Sequence, residues 1–190
     1  MGIILASRSP RRQELLKRVG LCDYTVLVPE TEETCPAGLS PEDTVRHIAC
    51  GKARAVQGLV GADDIVIAAD TMVFSDGKRL GKPKSKADAL AMLTALQGRS
   101  HLVCTGLAVM QGDVLLSEAE TTKVFFRPAT EAELRRYIDS GEPMDKAGSY
   151  GVQGLGALLV SRIEGDYYNV MGLPLLRLSR MLAQRGVTLL

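Results

Sequence analysis

The chain has no tryptophan, two histidines and four cysteines, and each scarcity excludes a class of function. Five tyrosines and three phenylalanines are too few for the stacking surface of a single-strand nucleic-acid binder. The two histidines, His47 and His101, argue against a histidine-rich zinc site. The cysteines show no CxxC spacing, which indicates free thiols in the cytoplasm.

Excess charge and long apolar runs are also missing. The 23 basic and 22 acidic residues give a net charge of +1, whereas a general nucleic-acid binder is more basic, so any basic patch must be local. No apolar run is long enough to span a membrane, and the first residues do not resemble a signal peptide. We therefore expect a cytoplasmic protein with neither a membrane nor a nucleic-acid partner.

What is present is a core-forming chain of strands and capped helices. Its 190 residues, 46% of them hydrophobic, suffice for one domain or for two small lobes that share a sheet. Ser40, Ser85 and Thr130 start helices, and a last helix spans 174–185. Strands are predicted at residues 3–5, 24–28, 65–69 and 121–127 and at ALLVSRI, with a hairpin turn at SDGK. HLVCTGLAVM and VLLS are predicted to form a second hairpin around QGD. This mixture predicts an α/β fold with a mixed twisted sheet flanked by helices.

The segment SRSPRR places cations where a helix begins. Ser9 is a plausible N-cap and Pro10 suits the first helical position, yet Arg11 and Arg12 occupy the first turn. The helix macrodipole disfavours a cation there by roughly 0.3–1 kcal/mol. Free backbone N–H groups, the Ser9 hydroxyl and two guanidinium groups together form a natural phosphate site. The alternative is that both arginines are solvated surface residues; a Walker pattern is absent.

Asp70 directly follows the apolar run 65–69. A carboxylate at the end of a buried strand is costly unless a cation or metal meets it. Lys82 returns on the other arm of the hairpin and shares a face with Asp70 if the loop has an odd number of residues, but not if it has two. Asp70 is therefore a metal ligand or general base with Lys82 at the phosphates, or one partner of a structural salt bridge.

Three weaker signals accompany these motifs. Glu32 and Glu33 lie in an acidic loop that either is solvated or holds Mg²⁺ together with substrate phosphates. Lys52 lies on a predicted helix, where most lysines face solvent. The glycine-rich segment 141–157 is an ordinary connection or a ligand loop in which the Gln153 amide reads a base edge.

Six motifs in order, from residue 4 to about residue 182, resemble the Maf family of nucleoside triphosphate pyrophosphatases, also called septum formation inhibitor proteins. They are LASRSPRR, AADT, LGKP, HLVCTG, DKAGSYGVQG and GDYYNVMGLPL. The resemblance implies one domain over 1–190, an elongated mixed sheet in two lobes around a central cleft, similar to inosine triphosphate pyrophosphatases. It also implies hydrolysis of a nucleoside triphosphate to the monophosphate and pyrophosphate, a divalent cation (Mg²⁺, Mn²⁺ or Co²⁺) and a homodimer.

The resemblance also implies roles for particular residues. Asp70 corresponds to the catalytic carboxylate and a metal ligand, and Glu33 to the loop acid of the metal site. Glu32 stands where the motif often has aspartate. The residues that correspond to phosphate contacts are Arg11, Arg12, Lys52 and Lys82.

Three positions distinguish two branches of the family. Arg12, Thr71 and Gln153 resemble the branch that prefers dTTP and UTP, whereas the branch that prefers 7-methyl-GTP carries glutamine after the aspartate and glutamate in place of Gln153. We therefore expect a nucleoside triphosphate diphosphatase acting on dTTP, UTP and related modified pyrimidine nucleotides. The alternatives are the 7-methyl-GTP branch and a nucleotide-binding regulator of cell division with little turnover.

Overall fold

The computed structural model describes residues 1–28, 30 and 34–190, and within them a seven-stranded sheet runs through the molecule. The order of the strands is β2-β1-β3-β5-β6-β7, with β4 paired to β3. The strands are β1 (Ile3–Ala6), β2 (Thr25–Val26), β3 (Ile65–Ser75), β4 (Lys78–Leu80), β5 (Ser100–Gln111), β6 (Val114–Phe126) and β7 (Val160–Glu164).

The sheet is mixed, as the sequence predicted. Strand β1 pairs in parallel with both β2 and β3, whereas the pairs β3–β4 and β6–β7 are antiparallel. The first half of β3, residues 65–70, is buried throughout, as expected for a central strand covered on both faces. Asp70 is therefore buried in the interior, at the end of an apolar run.

Most helices begin where the capping signals placed them. They are α1 (Pro10–Arg18), α2 (Pro41–Ala55), α3 (Lys86–Leu96), α4 (Glu131–Asp139), α5 (Tyr167–Met171) and α6 (Leu175–Ala183). The side chains of Ser40, Ser85 and Thr130 each accept a hydrogen bond from the backbone N–H three residues on, and Glu133 completes a capping box with Thr130. Among the described residues, no helix combines the length and apolar character needed to cross a bilayer.

The structure corrects three strand boundaries. The segments VLLS and 121–127 belong to one strand, β6, because its polar middle is held at Glu118 and Glu120 by ion pairs from Arg177. In ALLVSRI the strand starts only at Val160; residues 155–158 form a short 3-10 turn. The strand expected over 24–28 is confined to Thr25–Val26.

The chain divides into two compact units, each with its own apolar core. Unit 1 comprises Met1–Asp70, Thr105–Glu120 and Gly172–Leu190, and unit 2 comprises Thr71–Cys104 and Thr121–Met171. In unit 1, one cluster of buried side chains joins β1, β3 and α2 and includes Ile4, Ala53, Val56, Val66 and Met110. In unit 2, a cluster joins α3, α4 and β6 and includes Leu93, Leu96, Val124, Phe126 and Leu134.

Candidate functional site

The turn between β1 and α1 leaves a polar helix terminus. Ser9 precedes α1 in an extended conformation, but its side chain makes no capping hydrogen bond. The Ser9 N–H instead donates to the buried Ser7 Oγ at 3.2 Å. The first turn contains no acidic residue, so the positive potential of the helix end is not offset there. Arg11 lies half-buried on the same turn.

Arg12 is buried, which rules out a solvated surface arginine at this position. Its exposed fraction is 9%, and its Nε donates to the Gly172 carbonyl at 2.8 Å. Its Nη1 donates to Ser7 Oγ at 3.1 Å and to the Ala69 carbonyl at 2.9 Å. The guanidinium thus ties α1 to β3 at the residue that precedes Asp70 and to the segment before α6, all within unit 1.

The buried Asp70 forms an ion pair with Lys52, which is largely covered. The Lys52 Nζ on α2 donates to Asp70 Oδ1 at 2.6 Å, with side-chain exposures of 13% and 7%. Lys52 is therefore not an ordinary surface lysine. Asp70 Oδ2 is buried too, and no hydrogen-bond donor in the described part of the chain reaches it. A buried carboxylate oxygen without a donor is unusual and indicates that a cation or substrate group meets it.

The hairpin after Asp70 follows the two-residue alternative. Asp76 and Gly77 connect β3 to β4 with φ of 50° and 73°, the left-handed values of a tight hairpin turn. The pairing stops at Leu80, so Lys82 lies beyond the strand and is exposed. An odd-numbered loop that would align Lys82 with Asp70 is therefore not formed.

The predicted site residues divide between the two units. Ser9, Arg11, Arg12, Lys52 and Asp70 belong to unit 1. Thr71, Lys82 and Gln153 belong to unit 2, where Thr71 is half-buried on β3 and Gln153 is exposed. Glu32 and Glu33 lie outside the described residues, so the structure does not bear on them.

Asp70 fits a cation that arrives with a polyphosphate. In the described parts of the chain, no three His, Cys, Asp or Glu side chains cluster as a metal cage. Mg²⁺ is commonly held by one or two carboxylates together with substrate phosphates and water. Asp70 Oδ2 meets that requirement because Oδ1 already faces Lys52, while no donor from residues 1–28, 30 or 34–190 reaches Oδ2.

Glu142, which no sequence motif singled out, organises the glycine-rich segment of unit 2. Its Oε2 accepts from the Leu155 N–H at 2.7 Å, and its Oε1 accepts from the Gly156 N–H at 3.1 Å and the Tyr137 hydroxyl at 2.9 Å. Burial opposes its ionisation, but these donors and the Lys146 charge outweigh burial and lower the pKa of Glu142. The only signal was a lone glutamate beside a run of glycines.

Among solved structures, similar chains are HAM1 proteins. The one from Coxiella burnetii is 18% identical, with a TM-score of 0.49, and the match covers 97% of this chain and 99% of the other. The one from Staphylococcus aureus is also 18% identical, with a TM-score of 0.44, and the match covers 66% of this chain and 72% of the other.

Sequence comparison gives much stronger matches. A dTTP/UTP pyrophosphatase from Symbiobacterium thermophilum is 51% identical over 97% of this chain and 94% of the relative. A protein of the same name from Pelotomaculum thermopropionicum is 46% identical over 99% of this chain and 98% of the relative. Another from Bacillus anthracis is 48% identical over 97% of this chain and 96% of the relative. The family model described as Maf-like protein matches residues 2–185, and the chain therefore belongs to the Maf family.

Proposed function

We propose that this chain is a nucleoside triphosphate pyrophosphatase that hydrolyses dTTP and UTP to the monophosphate and pyrophosphate. The observation that carries the proposal is the buried Lys52–Asp70 pair, in which Asp70 Oδ2 has no donor among the described residues. The relatives named dTTP/UTP pyrophosphatase support it, because they match nearly the whole chain at 46–51% identity.

The proposed reaction is attack of water on the α-phosphorus. The new bond joins the water oxygen to the α-phosphorus. The bond between the α-phosphorus and the oxygen that bridges it to the β-phosphorus breaks, and pyrophosphate leaves with the electron pair of that bond. Asp70 is proposed as a ligand of the cation; it either also accepts the proton of the attacking water as general base or acts mainly as that ligand. Lys52 compensates the Asp70 charge and fixes the direction of its carboxylate, so Oδ2 is presented in one orientation.

The phosphates are proposed to dock at the positive end of α1. Ser9 and Arg11 offer donors there, and Lys52 and Lys82 supply further positive charge for the leaving pyrophosphate. Arg12 contributes its charge from a fixed position, since it is bound to the Gly172 and Ala69 carbonyls. Fixed charges need no reorganisation as the transition state forms, which makes their stabilisation effective.

A divalent cation (Mg²⁺, Mn²⁺ or Co²⁺) completes the proposed site. Asp70 would hold it together with substrate phosphates, and Glu33 is the second proposed ligand. When bound, such an ion offsets phosphate charge and makes a coordinated water a better nucleophile. We expect EDTA to abolish pyrophosphate release and added Mg²⁺ to restore it.

Specificity for pyrimidines is assigned to Arg12, Thr71 and Gln153. The Gln153 amide both donates and accepts, as recognition of a pyrimidine edge requires. A base that leaves such groups unpaired is rejected strongly.

We further propose that residues 1–190 act as one catalytic domain, that the active form is a cytoplasmic homodimer, and that its substrates include modified pyrimidine triphosphates.

A turnover panel tests the function directly. The purified protein is incubated with dTTP, UTP, CTP, ATP, GTP and 7-methyl-GTP, each with Mg²⁺, Mn²⁺ or Co²⁺, and pyrophosphate is measured. We expect dTTP and UTP to have the highest kcat/KM. Preference for 7-methyl-GTP would assign the chain to the other branch. Tight nucleotide binding without pyrophosphate release would instead identify a regulator.

A further inference from the structure

The segment that carries Gln153 is fixed to the rest of unit 2 on both sides of that residue. We call residues 151–156 the Gln153 loop. On the N-terminal side, the Gly151 N–H donates to the Tyr137 hydroxyl at 3.0 Å, and this hydroxyl donates to Glu142 Oε1 at 2.9 Å. On the C-terminal side, the N–H groups of Leu155 and Gly156 donate to Glu142 directly at 2.7 and 3.1 Å. One carboxylate therefore organises both ends.

The glycines of the Gln153 loop make this approach possible. A Cβ at Gly154 would overlap Glu142 Oε2. A Cβ at Gly156 would overlap the Gly151 carbonyl and lie 2.6 Å from the Tyr137 oxygen, and a Cβ at Gly151 would lie 2.8 Å from Lys146 Cε. At Gly156 the added atom would meet backbone, so a larger residue there would displace the loop. At Gly154 it would displace the Glu142 carboxylate itself, and at Gly151 the end of the Lys146 side chain. The composition of the segment therefore matches its attachment to Glu142.

The attachment is charge-assisted and therefore strong. Bonds from N–H groups to an ionised carboxylate are about twice as strong as those between neutral groups. The lowered pKa of Glu142 agrees with this, since the backbone N–H groups of Gly156 and Leu155 favour its ionised form. Gln153 lies between the two attachment points with an exposed side chain, so its backbone is held while its amide faces outward.

We propose that Glu142, acting through Tyr137 and the glycines of the Gln153 loop, is a positioning residue that presents Gln153 to the base of the nucleotide. This inference rests on the proposed function, in which Gln153 reads the pyrimidine. Glu142 touches neither substrate nor reacting atoms, so its removal weakens base recognition rather than the chemical step.

The first test is Glu142→Gln, which keeps the shape but replaces one acceptor oxygen with an NH₂ group facing a backbone N–H. We expect hydrogen exchange at the amides of Gly151, Leu155 and Gly156 to accelerate about tenfold or more. We expect KM for dTTP and UTP to rise about tenfold while kcat stays within about threefold. Tyr137→Phe removes the hydroxyl that joins Gly151 to Glu142 but leaves the direct bonds from Leu155 and Gly156. It should therefore produce a smaller rise in KM.

The matched control is Glu133→Gln in the same unit. Glu133 also accepts several hydrogen bonds, from the Thr130 N–H, the Thr130 hydroxyl and Arg127, but none from the Gln153 loop. Its loss should lower the melting temperature without raising KM. An equal rise of KM in this control would show that general destabilisation, not the position of Gln153, is responsible, and would overturn the inference.

A double-mutant cycle separates positioning from a structural role. If Glu142 acts through Gln153, the double variant should have nearly the same KM as the single variant Gln153→Ala, because Glu142→Gln then has nothing further to disturb. Additive effects, or an unchanged KM in Glu142→Gln, would overturn the inference. An unchanged nucleotide preference in Gln153→Ala would remove its basis in base reading. If the parent protein releases no pyrophosphate, the proposed function is wrong, and Glu142 then has no role in nucleotide recognition. Hydrogen exchange at the amides of Gly151, Leu155 and Gly156 still shows whether Glu142 holds the loop.

Discussion

Asp70 is the single side chain on which the proposed chemistry depends. Its pairing with Lys52 in a buried setting carries a desolvation cost that a hydrophobic pair would avoid. The pair carries this cost, and one oxygen of the Asp70 carboxylate has no donor among the described residues. Buried polar atoms are nearly always hydrogen-bonded in folded proteins, so this oxygen indicates a site that binds a cation or a substrate group.

Replacement of Asp70 by asparagine should therefore remove activity. The change keeps the shape but removes the negative charge, whether that charge serves as base or as cation ligand. We expect kcat to fall by about 10²–10⁴-fold, measured as pyrophosphate release from dTTP. The control is Asp64→Asn, because Asp64 accepts structural hydrogen bonds from the N–H groups of Gly2 and Gly61 in the same unit. Activity of Asp70→Asn within several-fold of the parent would contradict the assignment.

His101 gives the fold a dependence on pH that is separate from catalysis. It is 3% exposed, its Nε2 lies 2.8 Å from the Tyr150 hydroxyl, and its ring packs edge-on against Phe126. Burial lowers the pKa of His101 from 6.5 to about 4. The unfolded chain therefore binds a proton near pH 6.5 that the folded chain does not accept until about pH 4.

The free energy of unfolding should thus fall as the pH decreases from about 6.5 to about 4. Above pH 6.5 the ring is neutral in both states, and by pH 4 its contribution should have lowered the free energy of unfolding by about 3 kcal/mol. Urea denaturation of the parent and of His101→Gln across pH 4–7 isolates this contribution from that of the carboxylates. Equal pH dependence in the two proteins would show that His101 does not titrate as its burial indicates.

At the scale of elements, the position of α2 determines where Lys52 lies. Gly106 on β5 faces the backbone of α2 with no space for a side chain. A Cβ at Gly106 would overlap the Val45 carbonyl group and lie 2.6 Å from the Arg46 nitrogen. Since these are backbone atoms, they cannot move aside without moving the helix.

We expect Gly106→Ala to lower the free energy of unfolding by about 1–3 kcal/mol. The same substitution at Gly51 in α2 should instead raise it by roughly 0.5–1 kcal/mol, because alanine favours a helix. Apart from the nearby backbone of α2 itself, no atom of the described residues lies within 4 Å of the added methyl group. Urea denaturation measures both. A neutral Gly106→Ala would mean that α2 shifts without cost and that its position is not fixed by this contact.

Local signals predicted the helices better than the strands and the site. The N-caps at Ser40, Ser85 and Thr130 depend on residues three positions apart, which the sequence displays directly. The length of β6 depends on Arg177, far along the chain, so its polar middle was wrongly taken as a break. Likewise Asp70 was singled out from its apolar run, and Lys52 was assigned to the phosphates from the family resemblance. Their pairing with each other was not predicted, because no sequence pattern links a strand end to one helix face.

At the scale of the whole molecule, neither unit is a continuous stretch of sequence. Three of the four boundaries fall inside β3, β5 and β6, at Asp70–Thr71, Cys104–Thr105 and Glu120–Thr121, and the fourth, Met171–Gly172, lies at the end of α5. Domain boundaries are normally recognised by polar or glycine-rich linkers. At three of the four boundaries the chain crosses from one unit to the other within a regular strand, where no compositional change marks the division.

Unit 1 therefore depends on its last segment, Gly172–Leu190. In this segment α6 buries Leu175, Leu178, Met181 and Leu182, and Arg177 bridges Glu118 and Glu120 at 2.6 Å. The Gly172 carbonyl also accepts the Arg12 bond. Each large apolar side chain removed from a core costs about 2–5 kcal/mol, and several together exceed the stability of a typical domain, about 5–15 kcal/mol.

A chain ending at Met171 should accordingly lose the fold of unit 1 although all of unit 2 is present. We expect loss of pyrophosphate release and loss of the cooperative melting transition of the parent, followed by circular dichroism. A chain ending at Thr188 keeps α6 and should melt within about 2 °C of the parent, since it loses only the last two residues. If the chain ending at Met171 melted like the parent, the buried face of α6 would not be part of the core that holds Arg12, Lys52 and Asp70 in place.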